Sequence, residues 1–134
     1  MNADPVEAQV RVRYVETDQM SVAHHANYLA WFEVGRTEWC RAKGFTYRDL
    51  ETKEGILLMV AEVRCRYKSP ARYDDVLTIR TQVNNFKKRL ITFGYEILNA
   101  ATREVVAAGE SVHVVTDRNG RVRSLPEKYV RFFS

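Results

Sequence analysis

Residues 18–28, Asp-Gln-Met-Ser-Val-Ala-His-His-Ala-Asn-Tyr, place a carboxylate, two adjacent histidines and a carboxamide within eleven positions. Asp18 and His25 are seven positions apart, and a helical pattern begins directly after His25. The free N–H groups of a helix's first turn favour negative charge, so amides around His25 to Tyr28 could hold a carbonyl oxygen as it becomes an oxyanion. A carboxylate opposite that oxygen could attack the carbonyl carbon, or take a proton from the water that attacks it. Together these groups describe acyl-transfer hydrolysis.

Each residue also has a plainer reading. Asp18 can be a turn residue bonding its own backbone. His25 can be a capping or satisfied core histidine. A metal site from His24, His25 and distant His113 is disfavoured, because adjacent histidines usually point apart and no HExxH or helical His-carboxylate spacing is present. Glu33 and Arg36, three apart on the helix, most simply form a local ion pair. The chain has no GxSxG, glycine-rich phosphate loop or GxGxxG, which leaves serine-hydrolase, nucleotide-hydrolase and dinucleotide chemistry without support.

The elements that must position these residues are legible from periodicity. Val6, Ala8, Val10, Val12 and Tyr14 alternate with Glu7, Gln9, Arg11 and Arg13, a period of two that predicts a first strand with one buried face. Tyr28, Phe32, Gly35, Trp39 and Ala42 then recur at three- and four-residue steps, which predicts a helix of about four turns. Asn27 suits its N-cap and Gly44 its left-handed end. A short helical turn around Tyr47 to Lys53 follows. Four more strands are expected: one alternating through Val63, Cys65 and Tyr67 and ending at Ser69-Pro70; one through Leu77 to Val83, where Asn84-Asn85 opens the basic turn NNFKKR; one through Ile91 to Ile97, closed by NAATRE; and one from Val105 to Thr116, ending at DRNG. Short turns predict an antiparallel sheet, and five strands with one apolar helix fit a sheet that curls around that helix. Long strands leave edges that a second copy would protect, so self-association is expected.

The 134 residues are 46% hydrophobic and 28% charged, which fits one globular domain over residues 1–134. Cys40 and Cys65 are 25 apart with no CxxC pair, so zinc and a disulfide framework lack their spacing. Reduced thiols without an export signal point to the cytoplasm. The longest apolar run, Ile56 to Ala61, falls far short of the ~20 residues that span a bilayer. A net charge of +4 invites a nucleic-acid reading, but the basic residues alternate with apolar ones and 17 acidic residues are interleaved. No helix-turn-helix, zinc-finger or RNP-type signature accompanies them.

Two segments carry more than chemistry by type. Tyr14 to Arg36 reads YVETDQMSVAHHANYLAWFEVGR, and Tyr67 to Asp75 reads YKSPARYDD. The first resembles the signature of the hotdog-fold acyl-CoA thioesterases of the 4-hydroxybenzoyl-CoA thioesterase and YbgC-like group, with its T-D, the His seven later, the N-Y opening a helix and the aromatic-E-x-x-R inside it. The second resembles that group's Y-x-x-P-A-x-x-x-D turn between two strands. The resemblance implies an α+β hotdog fold, a five-stranded antiparallel sheet wrapped around one long central helix, and hydrolysis of acyl-CoA thioesters to free acid and coenzyme A without a cofactor or metal.

Carried onto this chain, the resemblance implies Asp18 as nucleophile or general base. It implies His25 as the residue whose backbone N–H polarises the thioester carbonyl, with its imidazole proposed to assist, and Tyr14 as at most a supporting neighbour. It implies active sites at a dimer interface, with dimers commonly pairing into tetramers. The basic residues Lys87, Lys88 and Arg89 would suit the coenzyme A phosphates. Trp31, Met59 and Phe93 are candidates for the acyl pocket. Ser21 and His24 depart from the group's usual Gly and Tyr, and Ser resists backbone torsions that Gly adopts. The alternatives are an acyl-CoA or acyl-carrier-protein binding module without turnover, and a hotdog dehydratase, for which Glu33 is the sole helical carboxylate placed to act.

Overall fold

The alternation at the N-terminus produces β1 (Val6–Arg11), whose residues are half-buried and exposed by turns. The remaining elements are α1 (Asn27–Lys43), α2 (Tyr47–Glu54), β2 (Ile56–Tyr67), β3 (Val76–Lys87), β4 (Leu90–Asn99), β5 (Val105–Asp117) and α3 (Glu127–Val130). This computed structural model describes residues 5–134. The strands form one five-stranded sheet in the order β1-β3-β4-β5-β2, and every pairing is antiparallel. The connection from β1 through α1 and α2 therefore spans the sheet from one edge to the other. No helix among the described residues is long and apolar enough to cross a membrane.

α1 packs on β1 and β3 and also reaches β2 and β4, so one sheet curls around one helix, the α+β hotdog arrangement expected from the sequence. Phe32 stacks on Tyr95 with ring centres 4.2 Å apart, and Trp39 meets Phe93 edge-on at 5.6 Å. Gly35 lets the helix come this close: a Cβ there would collide with Thr81 Oγ1 and Ile79 Cγ2 on β3. Gly44 takes the left-handed torsion at the end of α1, with φ of 115°. Thr46 caps α2 by accepting the Asp49 N–H at 3.0 Å. Beyond β5, Leu125, Tyr129 and Phe133 are buried. Phe133 lies against Trp39, Phe45 and Phe86, an aromatic plug that the sequence pattern did not announce.

Three element boundaries differ from expectation. β1 stops at Arg11 rather than Tyr14. Val12 keeps its inward place, but the Glu16 carboxylate accepts the Arg13 N–H at 2.7 Å and turns the chain into a 3₁₀ turn, Tyr14–Glu16. β2 begins at Ile56, so the apolar run Ile56 to Ala61 belongs to a strand, and a bulge between Val60 and Glu62 resets its register. β3 continues through Asn84 and Asn85 to Lys87, because a register shift between Val83 and Asn85 absorbs the extra residue. The turn itself is only Lys88 and Arg89.

A polar chain runs through the core. His113 Nδ1 lies 3.3 Å from the Leu58 carbonyl, which can only accept, so Nδ1 carries the proton and Nε2 accepts from the Ser111 hydroxyl at 2.7 Å. Ser111 in turn accepts from the Tyr95 hydroxyl at 2.5 Å. Arg36 faces the phenols of Tyr95 and Tyr47, while the Tyr47 hydroxyl finds no full hydrogen bond of its own. Burial, and then the Arg36 charge, push the His113 pKa down to about 4 from 6.5. Above pH 6.5 the imidazole is neutral in both folded and unfolded chains. Between pH 6.5 and 4 only the unfolded chain takes up the proton, so stability falls with pH by up to about 3 kcal/mol. Urea midpoints measured from pH 7 to pH 4 should show this slope, and His113→Gln should remove that component. An unchanged slope in the variant would mean that His113 titrates normally.

Candidate active site

Between the 3₁₀ turn and α1 the chain makes a tight hairpin. Thr17 pairs with Ala23, the Asp18 N–H donates to Val22 O at 2.9 Å, and the Ser21 N–H donates to Asp18 O at 3.0 Å. This is a turn followed by one residue in the left-handed region, and Ser21 fills that place with φ of 65°. The departure from Gly is therefore accommodated, at a torsional cost of roughly 1–2 kcal/mol. Asp18 does act as a turn residue: its Oδ1 accepts the Met20 N–H at 2.8 Å. That bond anchors one carboxylate oxygen. The other, Oδ2, has no hydrogen-bond partner among the described residues, and Asp18 is exposed.

The hairpin's second arm leads into α1. His24 N–H donates to Glu16 O at 2.8 Å, Ala26 N–H to His24 Nδ1 at 3.2 Å, Asn27 N–H to His24 O at 3.0 Å, and Tyr28 N–H to His25 O at 3.3 Å. Among the described residues the His25 N–H has no acceptor, whereas every other amide from Ala23 to Leu29 has one. Asn27 is not the N-cap. Ala26 occupies that position without a side-chain bond, and the Asn27 carboxamide donates instead to Glu16 O at 2.8 Å and His24 O at 3.2 Å. It serves as a clamp between the 3₁₀ turn and the helix because α1 starts one residue earlier than the Asn27 cap requires. His24 takes over part of the capping by lending Nδ1 to Ala26, and its ring stacks on His25 at 4.2 Å.

Sequence reasoning passed over Glu16 and Tyr67. Glu16 is buried; its carboxylate closes the 3₁₀ turn and its carbonyl holds both His24 and Asn27. The E of the YVETD segment was visible, but nothing local signalled its burial. The Tyr67 hydroxyl donates to His25 O at 3.1 Å.

The other expected site residues lie further out. Tyr14 is 78% exposed with its ring against Tyr73, and it meets the hairpin through its carbonyl, which accepts from Thr17. Lys87, Lys88 and Arg89 lie at the opposite end of the sheet from Asp18, roughly 35 Å along β3 by strand rise. Lys88 pairs there with Glu127 at 2.6 Å. Glu33 and Arg36 are 4.0 Å apart, a weak local pair. His113 has both ring nitrogens engaged in the core, and no group of three His, Cys, Asp or Glu able to hold a metal forms among the described residues.

A groove of about 340 Å³ runs between α1 and β2, lined among others by Leu29, Phe32, Arg36, Val60, Val63 and Ser111. Trp31, Phe93 and Met59 do not line it; Trp31 and Phe93 are buried in the core, and Met59 lies half-exposed on β2. A larger hollow of about 610 Å³ sits on the opposite face of the sheet among Arg64, Arg66, Arg80 and Glu110, and it includes neither Asp18 nor His25. The groove reaches Leu29 and Ala30 in the first turn of α1, and its lining likewise stops short of Asp18 and His25. If the left-handed torsion at Ser21 is the loop's strained point, Ser21→Gly should stabilise the protein by up to about 1 kcal/mol, and Ser21→Val should cost about 1–2 kcal/mol. Urea midpoints of the two variants check this; a Ser21→Gly variant that loses stability contradicts it.

A sequence model described as the Thioesterase-like superfamily matches residues 12–133. YneP of Bacillus subtilis (strain 168), which carries a provisional acyl-CoA thioesterase name, is 38% identical over 110 residues, covering 82% of this chain and 78% of that protein. The acyl-CoA thioester hydrolase YbgC of Escherichia coli O6:H1 is 32% identical over 133 residues, covering 99% of this chain and 98% of YbgC. Among solved structures, a hypothetical protein of Aquifex aeolicus superposes with a TM-score of 0.89 at 29% identity, over 96% of this chain and 99% of that one. A match that runs through the hairpin, α1 and every strand after it leaves no element of the site outside the likeness, and the chain belongs to the thioesterase-like superfamily.

Proposed function

We propose that this chain hydrolyses acyl-CoA thioesters to a free carboxylic acid and coenzyme A. One observation carries the reading: among the described residues the His25 N–H has no acceptor at the start of α1, on the arm of the hairpin that faces the Asp18 arm. A thioester carbonyl placed on that N–H gains a hydrogen bond that strengthens as charge builds on its oxygen, helped by the helix's own dipole. Asp18, with one carboxylate oxygen anchored and one free, acts on the carbonyl carbon directly or removes a proton from attacking water. The water oxygen ends on the acyl carbon, the C–S bond breaks, and the departing thiolate takes up a proton. The relatives named for acyl-CoA thioester hydrolysis support the same substrate class.

The reading includes a second copy of the chain. β2 is an edge strand, largely exposed, with Met59, Val60 and Val63 each at least 36% exposed. Such an edge invites pairing. A copy added antiparallel to β2 brings its own Lys87–Lys88–Arg89 turn to the end of the joined sheet where Asp18 and His25 lie, which is where coenzyme A phosphates would need cations. Within one chain that turn is too far away to serve. The acyl chain then lies in the groove between α1 and β2. Two free thiols, Cys40 buried and Cys65 partly covered, fit work in the cytoplasm.

Thiol release from a panel of short, medium, long and aromatic acyl-CoAs tests this. The wild-type protein should turn over at least one of them, and Asp18→Asn should lower kcat at least ~100-fold with the fold intact. No release from any substrate contradicts the enzyme reading, and full activity in the variant contradicts the role of Asp18. Sedimentation of the same preparation should give a multiple of 15.6 kDa; a fully active monomer would remove the shared site.

A further inference from the structure

We infer that Tyr67 is a positioning residue for the oxyanion site, holding the His25 backbone through a hydrogen bond from the sheet to the start of the helix. The inference rests on the proposed role of the His25 N–H and adds a residue to it.

Tyr67 is the last residue of β2, on the face turned toward α1, opposite Ala107. Its hydroxyl donates to His25 O at 3.1 Å. Its ring stands edge-on to both rings that flank the helix start, His25 at 6.3 Å and Tyr28 at 5.0 Å. Partial burial, then the neighbouring Cys65 and Tyr28, raise the Tyr67 pKa above its ordinary value, so the phenol keeps the proton it donates.

The local backbone needs such a tie. The first turn of α1 is loosely bonded, with Tyr28 and Leu29 donating to carbonyls three residues back at 3.3 Å each, near the long end of hydrogen-bond distances. Ala26 at the cap position offers no side-chain bond, and His24 Nδ1 reaches only the Ala26 N–H. Residue 25 is therefore fixed by a few bonds on each of its two sides. On its N-terminal side, His24 N–H is held by Glu16 O and the His24 carbonyl by Asn27; on its C-terminal side, the His25 carbonyl is held by the Tyr67 hydroxyl at 3.1 Å and by the longer bond from Tyr28 N–H at 3.3 Å. The direction of the His25 N–H depends on these restraints, and preorganised donors contribute to catalysis only when they need not move as charge develops. Removing one restraint leaves the amide present but less well aimed. A misplacement of about 1 Å can cost up to ~100-fold in rate, and loss of one of these restraints should cost less than that.

The test uses Tyr67→Phe, which removes the hydroxyl and keeps the ring contacts. Because the side chain is 48% exposed, the variant should keep a wild-type urea midpoint. Its kcat should fall roughly 10-fold while KM changes less than about twofold, the pattern of an interaction realised in the transition state. A second readout separates aim from structure. In the Asp18→Asn background, with an acyl-CoA bound, the thioester carbonyl stretch should move to lower frequency than in solution, and Tyr67→Phe should reduce that displacement. Wild-type kcat and an undiminished displacement in the Tyr67→Phe proteins overturn the inference while leaving Asp18 and His25 in place. Absence of turnover in the wild-type protein overturns the proposed function first, and the inference with it.

Discussion

Among the described residues no side chain at the cap position bonds the first turn of α1, and the candidate site is built around that gap. A helix beginning with Ser, Thr or Asp would satisfy its first amides internally. Here Ala26 stands at the cap position, His24 supplies one ring nitrogen to Ala26, and Asn27, the one residue with capping chemistry, turns its carboxamide backward to two carbonyls. The result is a short segment in which one amide, that of His25, is unpaired among the described residues. An unpaired donor deep in a core would cost about 1–3 kcal/mol. His25 is exposed, so the donor is available at little cost in stability.

The rest of the fold keeps that segment in place. Glu16, buried and bonded to Arg13, fixes the carbonyl that receives both His24 and Asn27. The sheet fixes the helix: Gly35 allows α1 to seat on β3, and Phe32 and Trp39 lock onto the aromatic ladder of β4. Under the helix, the hydrogen bonds from Tyr95 through Ser111 and His113 to Leu58 O run in one direction, so each donor has a defined acceptor and the tautomer of His113 is set. Arg36, partly buried beside them, carries charge to the inner wall of the groove between α1 and β2.

Much of this was legible because it is periodic. The steps from Tyr28 to Ala42 are those of a helix with an apolar stripe, and the alternations through β1, β3, β4 and β5 mark the strands along the chain, while their order in the sheet is set by pairings between distant segments. What escaped was set by contacts far apart in sequence or by competition at an element's end. Asn27 reads as a cap in isolation, yet the carbonyl of Glu16, eleven positions away, captures it. Tyr14 continues the alternation of β1, yet the Glu16 carboxylate ends the strand first. Bulges in β2 and β3 hid where those strands begin and end, since each adds a residue that breaks the period of two. Asp18 and His25 stand out as candidates by type and spacing, and Tyr67 does not, because its partner lies 42 residues away across the fold. The likeness of Tyr14 to Arg36 and Tyr67 to Asp75 to a thioesterase group agrees with the superfamily match over the chain.

The central claim is geometric, that the free amide of His25 receives the thioester carbonyl. A crystal structure of the Asp18→Asn protein with an intact acyl-CoA bound measures it directly. The account predicts the thioester oxygen about 2.9 Å from the His25 nitrogen, with the carbonyl carbon facing residue 18. A thioester oxygen that lies beyond hydrogen-bonding distance of that nitrogen, or one held by a different donor, would contradict it.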